Sequence, residues 1–199
     1  MRNTRPSLTL VSVLTAGILA VRIGLAGTPP SAAVQDEEAR KWEFSLSAFG
    51  YIIPDDRDYL QPTLTADRDW LHLEARYNYE GLETGSAWVG YNFSAGETVT
   101  LEFTPMIGGV FGDTRGVAPG FELSLGWKKL TFYAESEYMI DTGNSADNFL
   151  YTWLEFMYAP CDWFSAGIVA QRTRLYESGL DVDRGLQVGI TWRNLEFTT

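Results

Sequence analysis

Residues Phe121 to Tyr138, FELSLGWKKLTFYAESEY, constrain the fold more than any other stretch. Phe121, Leu123, Leu125 and Trp127 alternate with Glu122, Ser124, Gly126 and Lys128. After a tight turn, Leu130, Phe132, Ala134 and Tyr138 alternate with Thr131, Tyr133, Glu135 and Glu137, and only Ser136 breaks the apolar side. Alternation at period two gives a strand one wet face and one apolar face. Two such strands joined by two residues make an antiparallel hairpin, and the apolar side of this one begins and ends in aromatic rings.

The same unit repeats along the chain. The pattern predicts strands at about 42–53, 59–66, 70–79, 87–93, 98–110, 121–127, 130–138, 149–158, 163–175 and 185–192. Pro62 lacks an N–H and marks an edge or bulge in the second. Arg172 and Arg174 share parity with Phe164, Ala166 and Ile168, which requires a bulge or an exit from an apolar environment in the ninth. Trp127-Lys128-Lys129-Leu130-Thr131-Phe132 and Trp192-Arg193-Asn194-Leu195-Glu196-Phe197 share one pattern, so an eleventh strand starts at Leu195. Closed bacterial barrels usually hold an even number of strands. The alternatives are a twelve-stranded barrel, of which this sequence is a truncated record, and a ten-stranded barrel with a short tail.

The N-terminus has the three parts of a secretory signal peptide: Arg2 and Arg5, an apolar run from Leu8 to Val21, and the small-residue stretch AGTPPSAAV. The run is about 14 residues, short of the roughly 20 of a spanning helix. The domain reading is therefore a signal peptide over 1–33, a charged lead-in over 34–41, and one all-β domain over 42–199. Loss of 1–33 removes three arginines and no acid, so a net charge of −11 becomes −14. That balance excludes a nucleic-acid partner, whose phosphates demand a basic face. One histidine and one cysteine leave no material for a transition-metal cluster, and Cys161 reads as an incidental turn thiol. No cofactor is implied.

Connections alternate in length. Those near 67–69, 94–97, 128–129 and 160–162 are short, and those near 54–58, 80–86, 112–117, 141–148 and 176–184 are longer and polar. Trp42, Trp70, Phe93, Trp127, Tyr158, Trp163 and Trp192 gather at the short-turn end, and Tyr51, Tyr59, Tyr79, Phe111, Tyr138, Phe149 and Tyr176 at the other. A soluble lipocalin-type barrel would turn the apolar face inward. The leader, the aromatics at both strand ends and the concentration of charge on loops favour the membrane barrel. The mature chain resembles bacterial outer-membrane β-barrel proteins of the porin-like kind over residues 42–197. The resemblance lies in leader, alternating segments, girdles and loop alternation, and it carries over no functional residue. It implies an antiparallel meander barrel in the outer membrane, reached by export, with its short turns in the periplasm and outer-membrane lipid as its surroundings.

Glu74, Glu102, Glu122, Glu135 and Glu155 share inward parity near mid-height, with His72 and Arg76 beside them. Rings of carboxylates favour cations, so one reading is a small passive channel for ions or solutes. The other is a packed polar core in a non-conducting barrel with a structural or adhesive role. The outer loops would then act through Asp55, Asp56, Asp58, Glu80, Glu83, Asp113, Asp141, Asp147, Glu177, Asp181 and Asp183. These acids read as solvated loops, or as sites for divalent cations bridging to lipopolysaccharide. A hydrolase is a third reading with little support: His72 is the one candidate base, no motif places a serine or aspartate with it, and the expectation is that the chain is not an enzyme.

Overall fold

The computed structural model describes residues 42–52, 57–143, 145–175 and 181–199. The leader, the lead-in to Lys41, the loop acids Asp55, Asp56 and Glu177, and Tyr176 lie outside these residues. The described chain is one antiparallel meander of twelve strands. They are β1 (Glu43–Tyr51), β2 (Tyr59–Arg68), β3 (Leu71–Tyr77), β4 (Thr84–Tyr91), β5 (Phe93–Ala95), β6 (Val99–Gly112), β7 (Gly116–Trp127), β8 (Leu130–Asp141), β9 (Phe149–Cys161), β10 (Phe164–Leu175), β11 (Asp181–Trp192) and β12 (Leu195–Thr198). One 3-10 turn, Ser145–Asp147, lies between β8 and β9.

Each strand pairs with its neighbour in sequence, except that β4 and β5 both lie along β6. They are one strand broken at Asn92, whose N–H donates to the Trp70 carbonyl at 2.7 Å. Counted so, β12 is the eleventh strand expected from the Trp-x-x-Leu-x-Phe repeat. The repeat has the same geometry at both places: Trp127 faces Leu130 and Trp192 faces Leu195. Lys128 and Arg193 both take left-handed φ values, 55° and 56°.

The sheet curls but does not close. Within the described residues β1 and β12 form the two ends of the pairing order. β12 spans four residues and matches only Gly189–Trp192 of β11, so no strand bridges it to β1. The curl is nevertheless tight, because β3 touches β8 and a central cavity is lined from β1 to β12.

Apolar side chains cover the convex face. Leu60, Leu64, Ile107, Ile168 and Ile190 are all exposed there. The polar positions face inward, as the alternation requires. All seven aromatics expected at the short-turn end are exposed. Arg68, Lys128 and Arg193 lie over Trp42, Trp127 and Trp192 at 5.8, 4.8 and 5.2 Å. At the loop end, Phe111 and Tyr138 also stay outside.

Four aromatics expected in that loop-end ring turn inward instead. Tyr51 lines the cavity and stacks on Tyr59 at 4.6 Å. Phe149 packs on a small buried core of Trp88, Met106, Val110, Ala118 and Met139. Tyr79 lies over Arg76. The cause at Tyr79 is local: β3 ends at Tyr77, and Asn78 with φ 59° breaks the period of two. In β10 the irregularity falls at Phe164–Ala166, not near the arginines. Phe164 therefore faces the cavity, while Ile168 and Arg172 remain on the exposed side.

Candidate functional site: an arginine knot beside an acidic cavity

Period-two geometry puts Glu74 and Arg76 on one face of β3, two residues apart. Arg76 Nε and Nη2 donate to the two oxygens of Glu74 at 2.8 and 2.9 Å. Nη1 reaches β8, where it lies 2.8 Å from Glu135 Oε1 and 3.0 Å from Glu137 Oε2. Glu122 of β7 stands 4.0 Å from Nη2. The rings of Tyr79 and Trp88 cover the guanidinium at 4.2 and 4.7 Å. The Arg76 side chain is 1% exposed. Its planar fork suits this multiple recognition in a way a lysine ammonium would not.

Four carboxylates thus meet one guanidinium. Glu137 Oε1 is buried without a hydrogen-bond donor. The knot is held from the loop side by a second cluster. Ser86 donates to Glu80 at 2.6 Å, and Trp88 Nε1 lies 3.0 Å from Ser86 Oγ and 3.3 Å from Glu80 Oε1. Glu80 sits in the loop between β3 and β4, where burial pushes its carboxyl above the ordinary value. Gly108 makes room for Trp88: a Cβ there would lie 2.4 Å from the indole ring.

On the turn side the polar chain continues. His72 Nδ1 faces Asp67 at 2.8 Å and Nε2 faces Glu74 at 3.5 Å. Asn92 donates to Asp67 at 2.8 Å and accepts from Thr104 at 2.7 Å. Both ring nitrogens of His72 are thus directed at carboxylates, and neither faces a hydroxyl nucleophile.

Beside the knot lies a cavity of about 1350 Å³. Glu43, Asp67, Asp69, Glu74, Glu102, Glu122, Glu135, Glu155, Asp162 and Glu196 line it, against Lys128, Lys129 and His72. The five carboxylates expected in one belt therefore divide. Glu74, Glu122 and Glu135 gather on Arg76. Glu102 is an exposed cavity residue nearer the turns. Glu155 accepts from Trp153 Nε1 at 2.8 Å and meets Gln187 Nε2 at 3.5 Å. Glu80, expected among the solvated acids of the outer loops, is instead buried and held by Ser86, and the belt expected from parity left out Glu137 and Trp88. Glu137 carried a signal, since it has the parity of Glu135 two residues earlier.

Among the described residues no group of three or more His, Cys, Asp or Glu is placed to hold a metal ion. No helix is long and apolar enough to cross a membrane, which says nothing of strands. Compared with protein-family models, curated proteins and solved structures, the chain matches none.

Proposed function

We propose that the chain is an outer-membrane β-barrel protein, porin-like in kind, whose acidic interior passes small cations. The reading of a spanning barrel is supported by the side on which the apolar residues stand. Exposed Leu, Ile, Val and Phe on the convex face suit lipid, and the flanking tryptophans with their cations suit a headgroup layer. A bilayer leaves no strand edge unpaired, so in this reading the free edges of β1 and β12 meet each other or a further strand. The signal peptide and the alternating loop lengths orient the short turns toward the periplasm.

One observation carries the cation preference: ten carboxylates line the cavity against two lysines and one histidine. A ring of like charge in a narrow, low-dielectric space raises the local concentration of the opposite ion. Arg76 faces three of the ten, Glu74, Glu122 and Glu135, and the other seven still outnumber the two lysines and the histidine.

A specific observation favours a second reading. The knot and the Trp88 core fill the interior against the loop-end halves of β4 and β6–β8, which suits a non-conducting barrel acting through its outer loops. The test is the reversal potential of the refolded mature chain in a planar bilayer under a tenfold KCl gradient. Cation-selective current that weakens in Glu102→Gln and Glu155→Gln supports the channel. Insertion without current rejects it in favour of the structural barrel.

A further inference from the structure

The concave faces of β8 and β9 alternate aromatic rings with carboxylates in register. Tyr133 pairs with Glu155, Glu135 with Trp153, and Glu137 with Tyr151. The polar tips of two rings are tied down. Tyr133 Oη donates to Glu135 at 3.3 Å, and Trp153 Nε1 donates to Glu155 at 2.8 Å. Among the described residues Arg76 lies over Tyr79 and Trp88, whereas no cation lies over Tyr133 or Trp153. Both of these rings line the cavity.

Gln187 of β11 adds a second, independent observation. It is 5% exposed and lines the same cavity. Its Nε2 faces Glu155 Oε1 at 3.5 Å, and its Oε1 is buried with no hydrogen-bond donor. Exchanging the amide nitrogen and oxygen would set the carbonyl oxygen against a carboxylate, so the unmet group is the acceptor. Gly167 lies between Gln187 and Met157 in the sheet, and a Cβ there would come 2.1 Å from the Phe156 carbonyl oxygen. A bare backbone at that position lets Gln187 reach across β10 to Glu155.

We propose that this wall binds organic ammonium ions: cations that carry N–H donors on an aliphatic body. The proposal rests on the acidic, cation-taking interior described above and names the class of cation. Each part of the wall answers one part of such a ligand. The Glu155 carboxylate meets its charge, while Glu135, shared with Arg76, holds the Tyr133 hydroxyl. The Gln187 carbonyl accepts an N–H. The faces of Tyr133 and Trp153 take the carbon chain and the flanking charge, as aromatic rings do for alkylammonium groups. An inorganic divalent ion keeps a tight water shell between itself and the rings, has no carbon chain for them to cover, and finds no three-ligand group among the described residues.

The test is calorimetric titration of the refolded full chain in detergent with putrescine, with KCl and tetramethylammonium chloride as comparison cations at equal ionic strength. Putrescine should bind tightest, and Gln187→Leu and Trp153→Leu should each weaken it by about tenfold. Tetramethylammonium, which has no N–H, should be insensitive to Gln187→Leu. Thr131→Val, an uncharged change on another part of the cavity, should leave putrescine affinity within about twofold. Unchanged putrescine affinity in Gln187→Leu would mean diffuse charge attraction and would overturn the proposal, as would equal weakening by Thr131→Val and Gln187→Leu, or putrescine binding no tighter than potassium. Calorimetry reads binding whether or not current flows. Potassium current without putrescine binding rejects the ligand class alone, and binding without current rejects only the channel.

Discussion

Arg76 Nη1 on β3 meets Glu137 Oε2 on β8 at 3.0 Å, across 61 residues of sequence. These strands are not neighbours; β4, β6 and β7 separate them in the sheet. The contact is therefore made across the concave interior, and it ties the early strands to the middle ones. Removing one partner of a buried ion pair leaves the other charge uncompensated. Arg76→Met should cost about 3–5 kcal/mol in urea unfolding of the vesicle-inserted chain. Arg76→Met combined with Glu137→Gln should recover part of that loss. Equal instability of the single and double variants would show that the two side chains do not couple.

Trp88 packs where Gly108 has no side chain. Gly108→Ala should displace the indole and cost about 1–3 kcal/mol, the usual range for overpacking. The change should also appear as a shifted near-ultraviolet circular dichroism band. An unchanged band with unchanged stability would place the indole elsewhere.

Glu80 gives a pH dependence of definite sign. Burial raises its carboxyl above the ordinary value of 4.5, so the folded chain holds this proton more tightly than the unfolded chain. The associated stability is complete below 4.5 and declines as pH rises through the raised value. Urea midpoints taken across that interval should fall with pH in the parent chain. They should fall less in Glu80→Gln, which keeps an acceptor for Ser86 and removes the titration. Identical slopes in the two chains would assign the pH dependence to other groups.

Lys128 opens the β7–β8 turn with φ 55°, a conformation that costs a side-chain-bearing residue about 1–2 kcal/mol. Lys128→Gly removes that strain, while glycine's greater freedom in the unfolded chain offsets part of the gain. The expected net effect is stabilisation of about 0.5–1 kcal/mol in the same unfolding assay. Lys128→Val should move the midpoint the other way.

The strands were legible because alternation at period two survives wherever one face is apolar. The Phe121–Tyr138 hairpin and the repeat at Trp192 show this most directly. Side-chain direction was lost where the period breaks. Asn78 turns left-handed and sends Tyr79 inward, and no propensity at that position announces it. Phe49 and Tyr51 are aromatic residues on the concave side of β1, and an aromatic near a strand end reads equally well as part of an outer ring. The acidic belt was legible by parity but not by height. Tilt and register separate Glu102 and Glu155 from the knot and bring Glu137 into it. The open sheet was legible only through the repeat at Trp192, which starts an odd, eleventh strand, since alternation specifies faces and carries no information about how the first and last edges meet.

The packed side of the interior and the hollow side differ mechanically. At the loop-end halves of β4 and β6–β8 the wall is backed by the indole of Trp88, by Met106 and Met139 and by the arginine knot, so bending it inward compresses a solid. The turn-end halves of β6–β8, with β1, β2 and β9–β12, face about 1350 Å³ of free space, so bending them inward meets little resistance. The molecule is a stiff arc joined to a compliant one, and both unpaired edges belong to the compliant arc. Any lateral load on the wall therefore acts unevenly, and moves the hollow part before the packed part.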